Sequence, residues 1–206
     1  MSTSDVLSGD WTYEKYYALE DEQRYEVIAG ELLVVRAPGT FHQTIAGEFF
    51  IRLSAFVREH DAGQVFISPV DVVLNETNVV QPDVVFIQKA RREIIDARAI
   101  HGAPDLVVEV LSPGTRRRDR TVKTALYADA GVREYWVLDP RARSIEVLTL
   151  GEGGFAPFSH ATAQGMAKSR LLDGFALEVE DLMPTGETET MDRHPGGSRY
   201  PEEDCA

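Results

Sequence analysis

Two rhythms of hydrophobic and polar residues run along this chain. From His42 to Gly63 the apolar residues Ile45, Phe49, Leu53, Phe56 and Val57 recur at helical spacing, which predicts an amphipathic helix ending at that glycine. Elsewhere the apolar runs are short and β-branched. QVFIS, VDVVLN, DVVFI, LVVEVLS and REYWVLD each predict a strand, and SIEVLTL with FAPFSH predicts a hairpin around Gly151-Glu152-Gly153-Gly154. RYEVIAGELLVV predicts another hairpin, with Gly30 supplying the bend. TYEKYYALEDE, with Thr12 as cap, and KARREIIDARAI predict short helices. TRRRDRTVKTALYADAG predicts a longer one, with Thr115 near its start, Val122, Ala125, Leu126 and Ala130 on the buried side, and Gly131 as terminator. LLDGFALEVEDLM closes the domain. This order predicts an α/β (α+β mixed) fold, a central mixed β-sheet flanked by helices.

The chain's 206 residues suit one domain, 1–184, with a short appendage. After Pro184 it turns polar, with six acidic and two basic side chains, and 185–206 is expected to be a disordered acidic tail. No apolar run reaches the roughly 20 residues that cross a bilayer. The N-terminus has no secretory pattern, and the one cysteine is Cys205. A cytoplasmic protein without membrane partners is the expectation. The net charge of −13 weighs against a broad DNA-binding surface. Any nucleic-acid contact must come from a local basic patch or through bound cations.

LVVEVL places an acid, Glu109, in the middle of a strand that otherwise reads as buried on both faces. A lone buried carboxylate costs several kcal/mol or more, so it needs a partner. Alternation sends Asp105, Val107, Glu109 and Leu111 to one face. An arginine from Arg116, Arg117, Arg118 or Arg120 is one candidate partner. A divalent cation shared with Asp83, which opens the strand DVVFI, is the other. Lys123 is the only lysine between residues 90 and 167. It is either a solvated helix charge or a cation that orients a metal-bound water. The arginine run has three readings: phosphate binding, pairing with nearby acids, or solvation of the helix start.

An acid at a strand start, an acid inside the next core strand, and a basic helix bearing a lysine together resemble the PD-(D/E)xK nuclease superfamily, whose core is helix, three strands, helix, strand. YEVIAGEL, FHQTIAGEFF, PVDVVLNETNVVQPDVVFI, GAPDLVVEVLSPGTRRRDRTVKTALYADAGVREYWVLDP and LLDGFALEVEDL more narrowly resemble the bacterial family of putative restriction endonucleases long catalogued as a domain of unknown function. The resemblance implies Asp83 and Glu109 as catalytic, metal-holding acids for Mg2+ or Mn2+, with Glu31 and Asp71 as further candidate ligands. It places the motif's lysine at position 111, which is leucine here, and makes Lys123, on the following helix, its substitute. Arg116, Arg117, Arg118 and Arg120 would hold backbone phosphates. DNA is the implied substrate, and a homodimer an implied assembly. His42 is expected as a cap or packing residue, and His101 and His160 lack metal-ligand spacing. A catalytically inactive binding or assembly module of the same fold, and a hydrolase of a smaller phosphodiester, are the competing readings.

Overall fold

The computed structural model describes residues 6–7, 9–21, 23–112 and 116–183. The expected tail, Thr115 and the Arg117 side chain lie outside them. β1 (Val6–Leu7) precedes a short helix α1 (Tyr13–Tyr17), which Thr12 caps by accepting from the Lys15 amide. β2 (Tyr25–Ile28) and β3 (Glu31–Val34) form the expected hairpin. Its turn residues, Ala29 and Gly30, both have positive φ, as a two-residue turn between twisted strands requires. The amphipathic helix is α2 (Thr40–Glu59). β4 (Gly63–Ile67), β5 (Asp71–Asn75), β6 (Asn78–Val80) and β7 (Val84–Gln88) follow. Lys89–Ile94 winds as a 3-10 turn instead of an α-helix and leads to a strand, β8 (Ala99–His101).

After β9 (Leu106–Val110) come α3 (Arg116–Arg118), a π-helical turn over Asp119–Lys123, and α4 (Thr124–Ala130). Gly131, at φ 92°, stops that run. β10 (Glu134–Asp139), β11 (Ser144–Gly151), β12 (Gly154–Thr162), β13 (Met166–Lys168), β14 (Ala176–Glu178) and α5 (Val179–Leu182) complete the described chain. No helix among the described residues is long and apolar enough to cross a membrane.

The strands build two mixed sheets flanked by helices. One sheet has the order β12-β11-β10-β9-β7-β4 and the other β1-β3-β2-β6-β5-β8, while β13 pairs with β14. β9 and β10 run parallel, and β9 is antiparallel to β7. The succession α2, β4, β7, β9, α4, β10 supplies the helix, three strands, helix and strand expected. Alternation along β7 and β9 divides the core. Val84, Phe86, Leu106 and Val108 pack under Ile45, Phe49 and Leu53 of α2. Phe49 meets Trp136 edge to face at 5.3 Å, a contact worth about 1 kcal/mol beyond its buried area. Val85, Val107 and Leu111 face the other way, onto Ile28, Leu33, Val72 and Ile100 of the second sheet. The far side of that sheet, with Val27, Val73 and Val79, lies beneath Trp11, Tyr13 and Tyr16. Side chains between the two sheets therefore have a layer on each side, and Glu109 is one of them.

The run from Arg116 to Ala130 departs from expectation in the face it buries. Val122 is 46% exposed and Ala125 is exposed. The fully inward stripe is Asp119, Lys123 and Tyr127, spaced four apart. A helix turns polar groups inward only where partners of opposite charge await them, and here they do.

Candidate active site

Glu109 shares its strand face with Val107 and Leu111, so it enters the space between the sheets. In β2, Tyr25 and Val27 face outward and Glu26 and Ile28 inward, which brings a second carboxylate into the same space. β7 and β9 pair with Val84 opposite Val108, and one further step along that register sets Asp83 beside Glu109. Asp83 is held by the Val110 amide, which donates to its Oδ2 at 2.7 Å. Nε2 of His42, in the first turn of α2, lies 3.3 Å from the same oxygen.

Lys123 joins the two sheets. Its Nζ is 2.8 Å from Glu109 Oε1 and 2.8 Å from Glu26 Oε1, with Asp119 Oδ1 at 3.8 Å. Tyr127 donates its hydroxyl to Glu109 Oε1 at 2.6 Å. The Gln81 amide donates to Glu26 Oε1, and an Arg118 nitrogen lies 3.5 Å from Glu26 Oε2. The π-helical turn carries Asp119 and Lys123 into the cluster; such turns recur at functional sites. A cavity of about 700 Å3 opens onto Glu26, Asp83, Glu109, Asp119, Lys123 and His42.

Among the described residues four carboxylates thus lie around two cations, Lys123 and Arg118, and their interplay shows in the proton affinities. Burial pushes the Glu109 carboxyl up to about 8; Lys123 opposes that rise, while Asp119, Asp83 and Glu26 add to it. Burial also raises Glu26, but Lys123 and Arg118 outweigh it and hold the group below the usual carboxylate range. For Lys123 burial acts downward, and attraction to Glu109, Glu26 and Asp119 lifts it above an ordinary lysine, so it stays cationic. Burial lowers His42, and the bond to Asp83 more than reverses that. The hydrogen bonds to Glu109 end on Oε1 and those to Asp83 on Oδ2. Among the described residues none reaches Glu109 Oε2 or Asp83 Oδ1.

Asp83, Glu109 and Lys123, separated in sequence, therefore line one cavity. Leu111, at the motif's lysine position, is buried in the core. Glu31 is exposed at the start of β3 and does not line the cavity. Asp71 shares the outer face of its sheet with Val73 and accepts from Tyr16 and Gln81, so a full sheet separates it from Glu109. The expectation that these two acids join the site is thereby corrected. Of the four arginines expected to hold phosphate, three have acid partners, and the Arg117 side chain lies outside the described residues. Arg116 makes a bidentate pair with Asp139 at 2.6 Å, Arg118 faces Glu26, and Arg120 lies 3.2 Å from Glu146. Pairing with nearby acids is what the geometry favours for all three. His101 bonds Asp96 away from the cavity.

Sequence reasoning passed over Glu26, Asp119 and Tyr127, and gave His42 no part in the site. Glu26 carried a signal: YEVI, like LVVEV, sets an acid within an apolar strand. Two other buried acids show the alternative. Glu134 accepts from Trp136, Ser169 and the amides of Arg170 and Leu171. Asp105 accepts from the Gln88 amide and faces Arg91 at 3.1 Å. Both are satisfied structural groups; the Glu109 cluster retains open oxygens.

Among the described residues no three His, Cys, Asp or Glu side chains converge on one ion position. The open pair fits a magnesium-type ion, which is commonly held through one or two carboxylates and completed by water and substrate phosphate.

A family model described as "Uma2: Putative restriction endonuclease" matches residues 12–180. Among solved structures the chain is similar to a putative nuclease belonging to DUF820 from Anabaena variabilis ATCC 29413. The two share 19% identity and a TM-score of 0.69, over 83% of this chain and 96% of that one. At that identity the likeness speaks for the fold alone. No curated protein matches the chain.

Lys123→Met leaves Glu26 and Glu109 facing each other without their cation. Chemical denaturation is expected to show a loss of about 3 kcal/mol or more near pH 8, and a smaller one near pH 5, where the acids take up protons. A loss under about 1 kcal/mol at both pH values would contradict the role given to Lys123.

Glu109 provides the pH test. Its carboxyl titrates near 8 when folded and in the ordinary range, about 4.3, when unfolded. The folded protein thus holds a proton that the unfolded chain releases, and stability falls as pH rises through about 8. Glu109→Gln removes that dependence. Thermal unfolding of the metal-free proteins should show the wild type losing ground to the variant between about pH 5 and 8, with the gap levelling off above that; parallel profiles would refute the shift.

Proposed function

Since the chain belongs to the Uma2 putative restriction endonuclease family, we propose that it is a metal-dependent endonuclease that hydrolyses DNA phosphodiester bonds in the cavity between the two sheets. The observation that carries this reading is the pair of open carboxylate oxygens, Asp83 Oδ1 and Glu109 Oε2, beside a buried lysine that stays charged. Asp83 and Glu109 would hold Mg2+ or Mn2+, which supplies Lewis-acid polarisation of the scissile phosphate. Glu109 would hold the ion as a carboxylate, having given up its proton.

Lys123 does not act as a general base, because attraction to Glu26 and Glu109 keeps its proton on. Its part is to fix the Glu109 carboxylate in position, to direct a donor toward the attacking water, and to offset charge growing on the phosphoryl oxygens. Tyr127 holds the same Glu109 oxygen and leaves the other free. Glu26 anchors the ammonium from the opposite sheet. The Val110 amide and His42 hold one Asp83 oxygen and leave its partner open. Two such sites would be needed to cut both strands of a duplex, so the reading carries a homodimer with it.

The test is nicking of supercoiled plasmid by wild type, Asp83→Asn and Lys123→Gln, with Mg2+ or Mn2+ and with EDTA. Wild-type nicking is expected only with metal, falling at least about a hundredfold in each variant, as loss of an electrostatic catalytic group does. Nicking that survives in EDTA or in Asp83→Asn would contradict the proposal.

A further inference from the structure

Three of the four arginines expected to hold phosphate, Arg116, Arg118 and Arg120, are paired with acids, which leaves room for another cation to take a phosphodiester. We propose that Arg24 is that cation: it binds a phosphate oxygen of the substrate in the cavity. This inference rests on the phosphodiester reading above.

Arg24 precedes β2 and lines the cavity. Its Nε donates to Gln81 Oε1 at 3.0 Å and an Nη donates to Ser68 Oγ at 2.9 Å. Both acceptors are neutral, and among the described residues no carboxylate lies within ion-pair distance of it. Lys123 and Arg118, by contrast, both serve Glu26. Arg24 therefore brings an uncompensated positive charge to the wall. A guanidinium held through two of its five donors keeps the rest of its planar fork available, the geometry that suits a phosphate.

Its position is fixed from behind. Gln81 Nε2 donates to Asp71 Oδ1 at 2.8 Å, which turns Oε1 of the same amide toward Arg24. Asp71 in turn accepts from the Tyr16 hydroxyl at 3.1 Å. The acid expected to be a metal ligand is thus the outer end of a relay that aims an arginine. Both acceptors also belong to segments that build the metal-holding corner. The Ser68 amide donates to the Asp83 carbonyl at 2.9 Å, and the Gln81 amide donates to Glu26.

The test measures Mn2+ binding by calorimetry and binding of a noncleavable phosphorothioate oligonucleotide by fluorescence anisotropy. The proteins are wild type, Arg24→Gln, Arg24→Lys and, as a charge control, the exposed Arg58→Gln; inorganic phosphate serves as a second probe. With Mn2+ affinity and melting temperature unchanged, Arg24→Gln is expected to weaken oligonucleotide binding roughly ten- to hundredfold. Arg24→Lys should fall between it and wild type, and Arg58→Gln should stay within about twofold of wild type. Oligonucleotide binding by Arg24→Gln equal to wild type would overturn the Arg24 assignment and leave the nuclease reading standing. If wild type ignores the oligonucleotide yet binds phosphate, and Arg24→Gln does not, the DNA reading fails while the phosphate site holds. Wild type that binds neither probe would overturn both.

Discussion

The structure depends on one buried ammonium. Lys123 reaches from the helical run into the gap between the two sheets and touches a carboxylate on each, Glu26 and Glu109, at 2.8 Å. Burying one charge without compensation would cost several kcal/mol, and here three groups from three elements compensate one another. That mutual need explains why the run from Arg116 to Ala130 turns Asp119, Lys123 and Tyr127 inward and leaves Val122 exposed. It also fixes how the sheets meet. Glu26 reaches Lys123 only when the inner face of β2 lies over β9.

Among the described residues the compensation is incomplete, and that shortfall sets this cluster apart from the other buried acids. Glu134 and Asp105 show how this protein buries an acid for structural ends: backbone amides and arginines satisfy it. Around Lys123 the acids outnumber the cations, Glu109 keeps its proton to about 8, and oxygens of Asp83 and Glu109 stay open to the cavity. A core built only for stability would gain by replacing such a cluster with apolar groups. Retaining it makes sense where a divalent ion and a phosphodiester complete it.

Much of the fold was legible because its signals are local and strong. The helical stripe Ile45, Phe49, Leu53 sets α2, and the apolar runs set β7, β9 and β10. The strand β6 and the 3-10 turn at Lys89–Ile94 were not legible, because three-residue strands and single turns carry too little periodicity. Glu109 declared itself as an acid in a buried strand, Asp83 stood out as an acid opening the neighbouring strand and Lys123 as a lone lysine on a basic helix, and the family resemblance joined the three. Glu26 carried the same sign as Glu109, but the adjacent hairpin drew attention to Glu31. Pairings escaped altogether. Nothing in the spacing of Arg116, Arg118 and Arg120 tells that Asp139, Glu26 and Glu146 wait for them, and nothing near Arg24 in sequence names Gln81 or Ser68. Those partners lie 23 to 92 residues away along the chain.

If the open oxygens of Asp83 and Glu109 hold a cation, its binding is coupled to the Glu109 proton. Calorimetric titration of Mn2+ near pH 7, repeated in buffers of different ionisation enthalpy, measures both ion and proton. About one ion per chain is expected, with release of close to one proton, and loss of both in Asp83→Asn. Binding that persists in Asp83→Asn, or that releases no proton, would contradict this expectation.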